Sequence, residues 1–440
     1  VKLCVAGLWH LGTVTAACLA GAGHEVTAFD PDAGVVAGLA AGKPPLFEPG
    51  LEELVGAGLA SGALRVSGDP ADAVRGAELL WITYDTPVDA DDIADVDLVV
   101  GHVVALLPYL QAGATVLISS QLPVGSVARL EAAAAAEALD LSFGCSPENL
   151  RLGKAIEVFT QPDRVIVGVR DERGREAVGR VLAPVTESIE WMGVESAEMA
   201  KHALNAFLAT SVTFINEIAS VCERVGADAG DVSRALKTEH RIGPKAYLGP
   251  GGAFAGGTLA RDIRALTGIG DAEDLTTPLL HSVWDSNTAH RGWPRRTLTG
   301  LLAPDATAAD AAPLTGRTIA VWGLTYKPGT DTLRRSSAVE LCRDLATAGA
   351  VVRAHDPAVT ALPDDLIEMM DLIDDPITAA TGADALVVAT EWPEYRALEP
   401  EQVIGALGDG ALVVDANGFL AGSLLADERV RYASVGRRPS

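Results

Sequence analysis

The sequence predicts an α/β protein: two Rossmann-like, doubly wound domains joined by a central helical region with a long helix. Three observations predict it. Short apolar runs alternate with helical patterns through the first part of the chain. The stretch from Ser196 to Arg224 holds neither Gly nor Pro and reads as one long helix. The α/β alternation resumes at Thr318. The expected boundaries are 1–195, 196–302 and 314–440.

The elements follow in order. Val1–Ala6 is an apolar strand, Gly7–Gly12 a glycine turn, and Thr13–Ala22 a small, apolar helix suited to packing on a sheet. His24–Asp30 is a second strand ending in an acid, and Leu79–Tyr84, Thr115–Ser119 and Arg164–Val169 are further strands. This alternation implies a parallel sheet. More helical segments follow the long helix to about residue 300, and the Ala-, Asp- and Pro-rich stretch Ala303–Pro313 reads as a linker. In the last part Thr318–Trp322, Val351–His355, Ala385–Thr390 and Ala411–Asp415 are strands, and Ser336–Ala348 is a helix.

Composition narrows the function. With 440 residues, 48% of them hydrophobic, the chain has ample core for two or three domains. A net charge of −25 disfavours nucleic acid and anionic membranes as partners. No apolar run reaches bilayer length, so neither a transmembrane helix nor a signal peptide is expected, and the location is read as cytoplasmic. The five cysteines are scattered and never in C-x-x-C spacing, which argues for reduced thiols and against a structural metal site.

Gly7-Leu-Trp-His-Leu-Gly12 lies between a strand and a helix, with Asp30 ending the next strand. This is the setting of a dinucleotide fingerprint: a tight turn places pyrophosphate on a helix N-terminus, and an acid takes the ribose hydroxyls, favouring NAD. Gly7, Trp9, His10, Leu11, Gly12 and Asp30 are the candidate cofactor residues. Trp9 replaces the middle glycine. Either it stays clear of the phosphates and NAD binds, or the site has lost its cofactor.

The segment Gly249-Pro-Gly-Gly-Ala-Phe-Ala-Gly-Gly-Thr-Leu-Ala-Arg-Asp262 resembles the active-site loop of the UDP-glucose/GDP-mannose dehydrogenase family, roughly G-x-G-x-G-G-S-C-F-P-K-D. Leu46-Phe-Glu-Pro-Gly-Leu-Glu-Glu-Leu54, Ser146-Pro-Glu-Asn-Leu-Arg151, Arg241-Ile-Gly-Pro-Lys245 and Gly323-Leu-Thr-Tyr-Lys-Pro-Gly-Thr-Asp331 resemble other family segments in order. So do Ala197–Phe207, Glu391-Trp392 and Asp415-Ala-Asn417.

The resemblance implies an NAD-binding N-terminal domain, a central dimerisation region, a C-terminal domain for the nucleotide of a UDP-sugar, and a homodimer. Thr86, in Tyr84-Asp-Thr-Pro-Val88, is implied as a further cofactor contact. Lys201 and Asn205 sit one helical turn apart and face the same way, suiting alkoxide stabilisation and orientation. Asp262 is implied as the partner of Lys201, and Glu148 as an acid/base carboxylate. Arg241, Lys245, Gly256, Gly257 and Leu259 are implied at the substrate. Lys327 and Arg334 are implied at the pyrophosphate, where fixed cations suit phosphate.

The family's catalytic Cys is read as Leu259, its active-site Thr as Gln121, and its second Glu as Leu152. These losses point away from thioester chemistry. The reading is an NAD-dependent oxidoreductase that moves one hydride reversibly on a nucleotide sugar, releasing an aldehyde or ketone or returning the hydride as an epimerase. A full four-electron oxidation to a uronic acid by a hydrate route is the alternative, and a non-catalytic nucleotide-sugar-binding protein a third. Cys145, three residues before Glu148, is considered as a substitute thiol.

Overall fold

The computed structural model describes residues 1–87, 94–147, 150–255, 257–307, 309–408 and 410–438. It divides into two compact units, Val1–Ala203 and Leu204–Ser440.

The first unit carries one eight-stranded sheet: β1 (Lys2–Ala6), β2 (Glu25–Phe29), β3 (Leu64–Ser67), β4 (Leu79–Ile82), β5 (Thr115–Ile118), β6 (Ser142–Cys145), β7 (Val165–Val169) and β8 (Ile189–Met192). The order is β3-β2-β1-β4-β5-β6-β7-β8. Its first six strands have the doubly wound order, which reverses between β1 and β4 and leaves a crevice there. Alternate residues of the strands fill the two faces: Cys4, Ala6, Leu80 and Ile82 join one core, and Leu3, Val5, Leu79 and Trp81 the other. Burial on both faces explains why these strands read as continuous apolar runs.

One expectation is corrected. The sheet is not wholly parallel, because β7 runs antiparallel to β6, with Gly144 opposite Val169 and Cys145 opposite Gly168. Among the described residues, the six-residue helix Ala155–Thr160 is the one helix between these strands. The chain turns back beside β6 rather than crossing the sheet on a long helix, as a parallel neighbour requires.

The second unit holds a six-stranded, all-parallel sheet of β9 (Thr318–Trp322), β10 (Val351–His355), β11 (Asp371–Leu372), β12 (Ala385–Val388), β13 (Ala411–Asp415) and β14 (Val430–Ala433). Its order, β11-β10-β9-β12-β13-β14, repeats the same doubly wound pattern. The helical region clusters with this sheet: Ala219, Cys222, Trp293 and Leu298 share its core with Ile319, Val321 and Val387.

The long helix, Val194–Val225, has 32 residues. By length and composition it meets the threshold for a membrane span, contrary to the expectation that no run would. Within the protein it serves as a core helix. Ala197, Ala206, Ala209, Ile215 and Ala219 are buried, and its Glu198, His202, Asn205 and Asn216 side chains bond to protein groups.

Candidate functional site

The first unit keeps the geometry of a dinucleotide turn. Gly7 has φ +99°, a left-handed conformation that favours glycine, and a Cβ there would lie 2.5 Å from the Tyr84 amide nitrogen. A Cβ on Gly12 would lie 1.7 Å from the Gly7 carbonyl oxygen, so only glycine lets the helix His10–Gly21 start this close to β1. Asp30 accepts from the Leu8 amide at 2.7 Å and the Asp32 amide at 2.9 Å, one on each oxygen. A carboxylate has about four acceptor sites, so capacity remains for ribose hydroxyls. Trp9 is 44% exposed, so its indole does not fill the turn. The residues present fit NAD.

The corresponding acid of the second sheet is spent on the protein. Asp356 Oδ2 accepts from the Leu324 and Thr325 amides at 2.7 and 3.0 Å, the Thr325 hydroxyl at 3.1 Å and the Trp392 indole N–H at 3.1 Å. It is 4% exposed. The two sheets share a topology, but Asp356 is committed to protein donors where Asp30 keeps acceptor capacity.

Other cofactor candidates have structural partners. His10 Nε2 lies 2.9 Å from Glu48, whose carboxylate also accepts from the Gly153 and Ala155 amides at 2.8 Å each. Burial alone raises the Glu48 carboxyl, but these bonds outweigh it and hold the group below the usual range. Glu48 thus ties the turn to the chain after Leu152, a role the sequence reading missed although the E-P-G segment marked it. The Thr86 hydroxyl donates to the Gln121 carbonyl at 2.8 Å.

Lys201 lines a cavity of about 20 Å³ in the first unit with Ser119, Ser120, Gln121, Cys145 and Glu198. Glu198 accepts from the Gly125 and Val127 amides at 2.7 and 3.0 Å, at the start of the helix Ser126–Ala136. Burial nevertheless raises its carboxyl. Cys145 is 6% exposed, and burial raises its thiol, which disfavours the thiolate a nucleophile needs. All five cysteines are free and buried.

In the second unit Asn205 and Asp262 meet. The Asn205 side-chain amide donates to Asp262 Oδ2, and Asp262 is fully buried. Asp262 is the fifth residue of the helix Thr258–Ala272, not its cap.

This helix corrects the register of the signature loop. Counted back from Asp262 without a gap, C-F-P-K-D puts the family's Cys at Thr258 and its Phe at Leu259. The packing agrees. Leu259 packs with Phe254 and Leu266 against Ala206, Ala209, Ile263 and Val283. Thr258 is exposed, one turn ahead of Asp262. Leu259 is therefore a packing residue, and Thr258 stands where the family has its thiol.

The remaining candidates lie on the surface or outside the described residues. Arg241 is exposed and pairs with Glu239 at 2.9 Å. Lys245, Lys327 and Arg334 are exposed, and Gly257 precedes Thr258 as the helix N-cap. Glu148 and Gly256 lie outside the described residues. Among the described residues no group of three or more His, Cys, Asp or Glu is placed to hold a metal ion.

Comparison with known proteins accounts for these features. Three models of the UDP-glucose/GDP-mannose dehydrogenase family match in succession: the NAD binding domain over residues 1–186, the central domain over 195–289 and the UDP binding domain over 320–422. The chain is 36% identical to the UDP-glucose 6-dehydrogenase of Rhizobium meliloti, across 99% of this chain and 100% of that one. It is 32% identical to the UDP-glucose 6-dehydrogenase of Pseudomonas aeruginosa, across 99% and 98%. A UDP-glucose dehydrogenase structure from the archaeon Pyrobaculum islandicum superposes with a TM-score of 0.83 at 31% identity, covering 99% of this chain and 98% of that one. The cofactor is NAD and the substrate a nucleotide sugar. The chain belongs to the UDP-glucose/GDP-mannose dehydrogenase family.

Proposed function

We propose that the chain oxidises C6 of a UDP-hexose, UDP-glucose first among them, from alcohol to carboxylate. The observation that carries this is the full-length similarity to UDP-glucose 6-dehydrogenases. It favours acid formation over the single-hydride reading drawn from the sequence, and none of the relatives named above is an epimerase.

NAD, held by the Gly7–Gly12 turn and Asp30, supplies the hydride acceptor. Lys201 stabilises the alkoxide at O6, an interaction that strengthens as charge develops there. Asp262 fixes the orientation of the Asn205 amide, which orients the substrate or a water. Thr258 offers an alcohol where the family has a thiol, and an alcohol is a far weaker nucleophile near neutral pH. Acid formation therefore passes through the hydrate of the aldehyde, with Glu148 as the base that activates water. The balance is one alcohol, one water and two NAD giving one carboxylic acid, two NADH and two protons.

A second reading stops at the aldehyde. Gln121, Leu152 and Thr258, all at positions the family uses for capture and hydrolysis, favour it. The tripartite division at 1–195, 196–302 and 314–440 and a homodimer through the long helix belong to the same proposal. Phe207, Phe214 and Val221 are 69%, 47% and 58% exposed and recur every seven residues on that helix, which suits a helix–helix contact. Five unpaired thiols suit the reducing cytoplasm.

The test is product stoichiometry with UDP-glucose and NAD. Two NADH per sugar, with a product that has gained one oxygen and lost two hydrogens, supports the proposal. One NADH with loss of two hydrogens supports the aldehyde reading. A mass-neutral isomer, or tight binding without turnover, overturns both.

A further inference from the structure

Three buried side chains grip the backbone of the glycine-rich segment ahead of Thr258. Asn216, on the long helix, accepts from the Gly251 amide at 3.0 Å and donates to the Gly252 carbonyl at 3.3 Å. Asn287, on the helix Pro278–Arg291, accepts from the Phe254 amide at 3.0 Å and donates to the Phe254 carbonyl at 2.9 Å. His290, one turn further on, lies with Nε2 2.8 Å from the Gly251 carbonyl oxygen. A carbonyl only accepts, so Nε2 carries the proton. Asn216, Asn287 and His290 are 2%, 1% and 8% exposed.

The segment is held from a second side by residues the function above did not use. Asn417 accepts from the Gly252 amide at 2.7 Å and donates to Glu391 at 2.6 Å. A Cβ on Gly251 would lie 2.2 Å from Asn417 Oδ1, so this contact needs glycine. Glycine-rich backbone would otherwise be among the freest in the chain.

Packing alone does not fix these side chains. Asn216, Asn287 and His290 also border a cavity of about 150 Å³ lined by Thr213, Glu217, Ser220, Ser286 and Arg296. The hydrogen bonds to the segment hold their orientation where neighbouring atoms leave room.

We infer that Asn216, Asn287 and His290 are positioning residues: they preset the backbone of Gly251–Phe254 for the sugar, so that sugar binding does not bear the cost of ordering it. The inference rests on the UDP-sugar reading above. It separates the sugar from the nucleotide, because free UDP does not need a preset sugar loop.

Calorimetric titration of UDP-glucose and of UDP into the full chain tests it, using the parent, Asn287→Ala, His290→Leu and His290→Gln. Asn287→Ala and His290→Leu are expected to weaken UDP-glucose binding about tenfold, as loss of a buried hydrogen bond does, and to leave UDP within about twofold. His290→Gln restores most of the loss, because its amide donates where Nε2 does. Unchanged UDP-glucose binding in both variants, or equal losses of UDP and UDP-glucose, would overturn the inference. If the parent with NAD yields no oxidised sugar from UDP-glucose, the functional reading fails and this inference with it. Hydrogen exchange on the unaltered protein gives a check independent of variant folding. The amides of Gly251, Gly252 and Phe254 are expected to exchange as slowly as those of the flanking helices, and fast exchange at all three overturns the clamp.

Discussion

Replacing Thr258 by cysteine tests both the register of the signature loop and the absence of a thiol. Thr258 opens the helix Thr258–Ala272 and is exposed. An ordinary cysteine thiol titrates near 8.5, and at an exposed position such as this a helix N-terminus favours the thiolate by roughly 0.3–1 kcal/mol. At about 1.4 kcal/mol per pH unit, the shift is about 0.7 of a unit at most, and Asp262 one turn on opposes it. At pH 8 the introduced thiol is therefore roughly a quarter to three-fifths ionised. Leu259→Cys behaves otherwise. It removes a side chain packed on Ile263 and Val283, costing roughly 1–3 kcal/mol, and leaves a thiol in apolar surroundings that keep it protonated. The assay pairs iodoacetamide alkylation across pH with NADH yield and product mass. Thr258→Cys is expected to alkylate readily at pH 8, to lose that reactivity when UDP-glucose is bound, and to form acid faster than the parent. Leu259→Cys gains neither property and melts lower. Faster acid formation by Leu259→Cys than by Thr258→Cys would refute the register argument.

Two further predictions concern stability and assembly. Glu48 has a folded-state pKa below its unfolded value, so its stabilisation is fully present above the unfolded value and lost as pH falls through the folded one. Glu48→Gln is therefore expected to melt below the parent at neutral pH, by roughly 1–3 kcal/mol, with the gap closing as pH drops below the carboxylate range; a gap independent of pH argues against it. Phe214→Glu places a charge in the exposed apolar stripe twice per two-fold dimer, costing roughly 3–6 kcal/mol of association. In sedimentation experiments the parent is expected to run as a dimer and the variant as a monomer at micromolar concentration; two equally stable dimers remove the stripe from the interface.

Much of the site was legible because its signals are local. Gly7, Gly12 and Asp30 mark a strand–turn–helix unit whose close approaches only glycine permits, and the structure keeps it. Lys201 and Asn205 fall one turn apart on the long helix, as their spacing predicts, while the roles proposed for them come from the resemblance. Non-local facts were not legible. Glu48 joins His10 to Gly153 and Ala155 across more than a hundred residues of chain. Asp356 looks as available as Asp30 until the Trp392 indole and Thr325 hydroxyl are found on it. The antiparallel β7 escaped notice because an apolar strand carries no sign of its direction.

The loop shows the division most sharply. From the sequence came the family pattern, the missing thiol and the spacing to Asp262. Which of Thr258 and Leu259 faces outward was decided by the tertiary structure, through the apolar cluster that Leu259 enters with Ile263 and Val283. Spacing along a chain fixes which residues share a helix face, but only the partner surface determines which face is buried and which is left for chemistry.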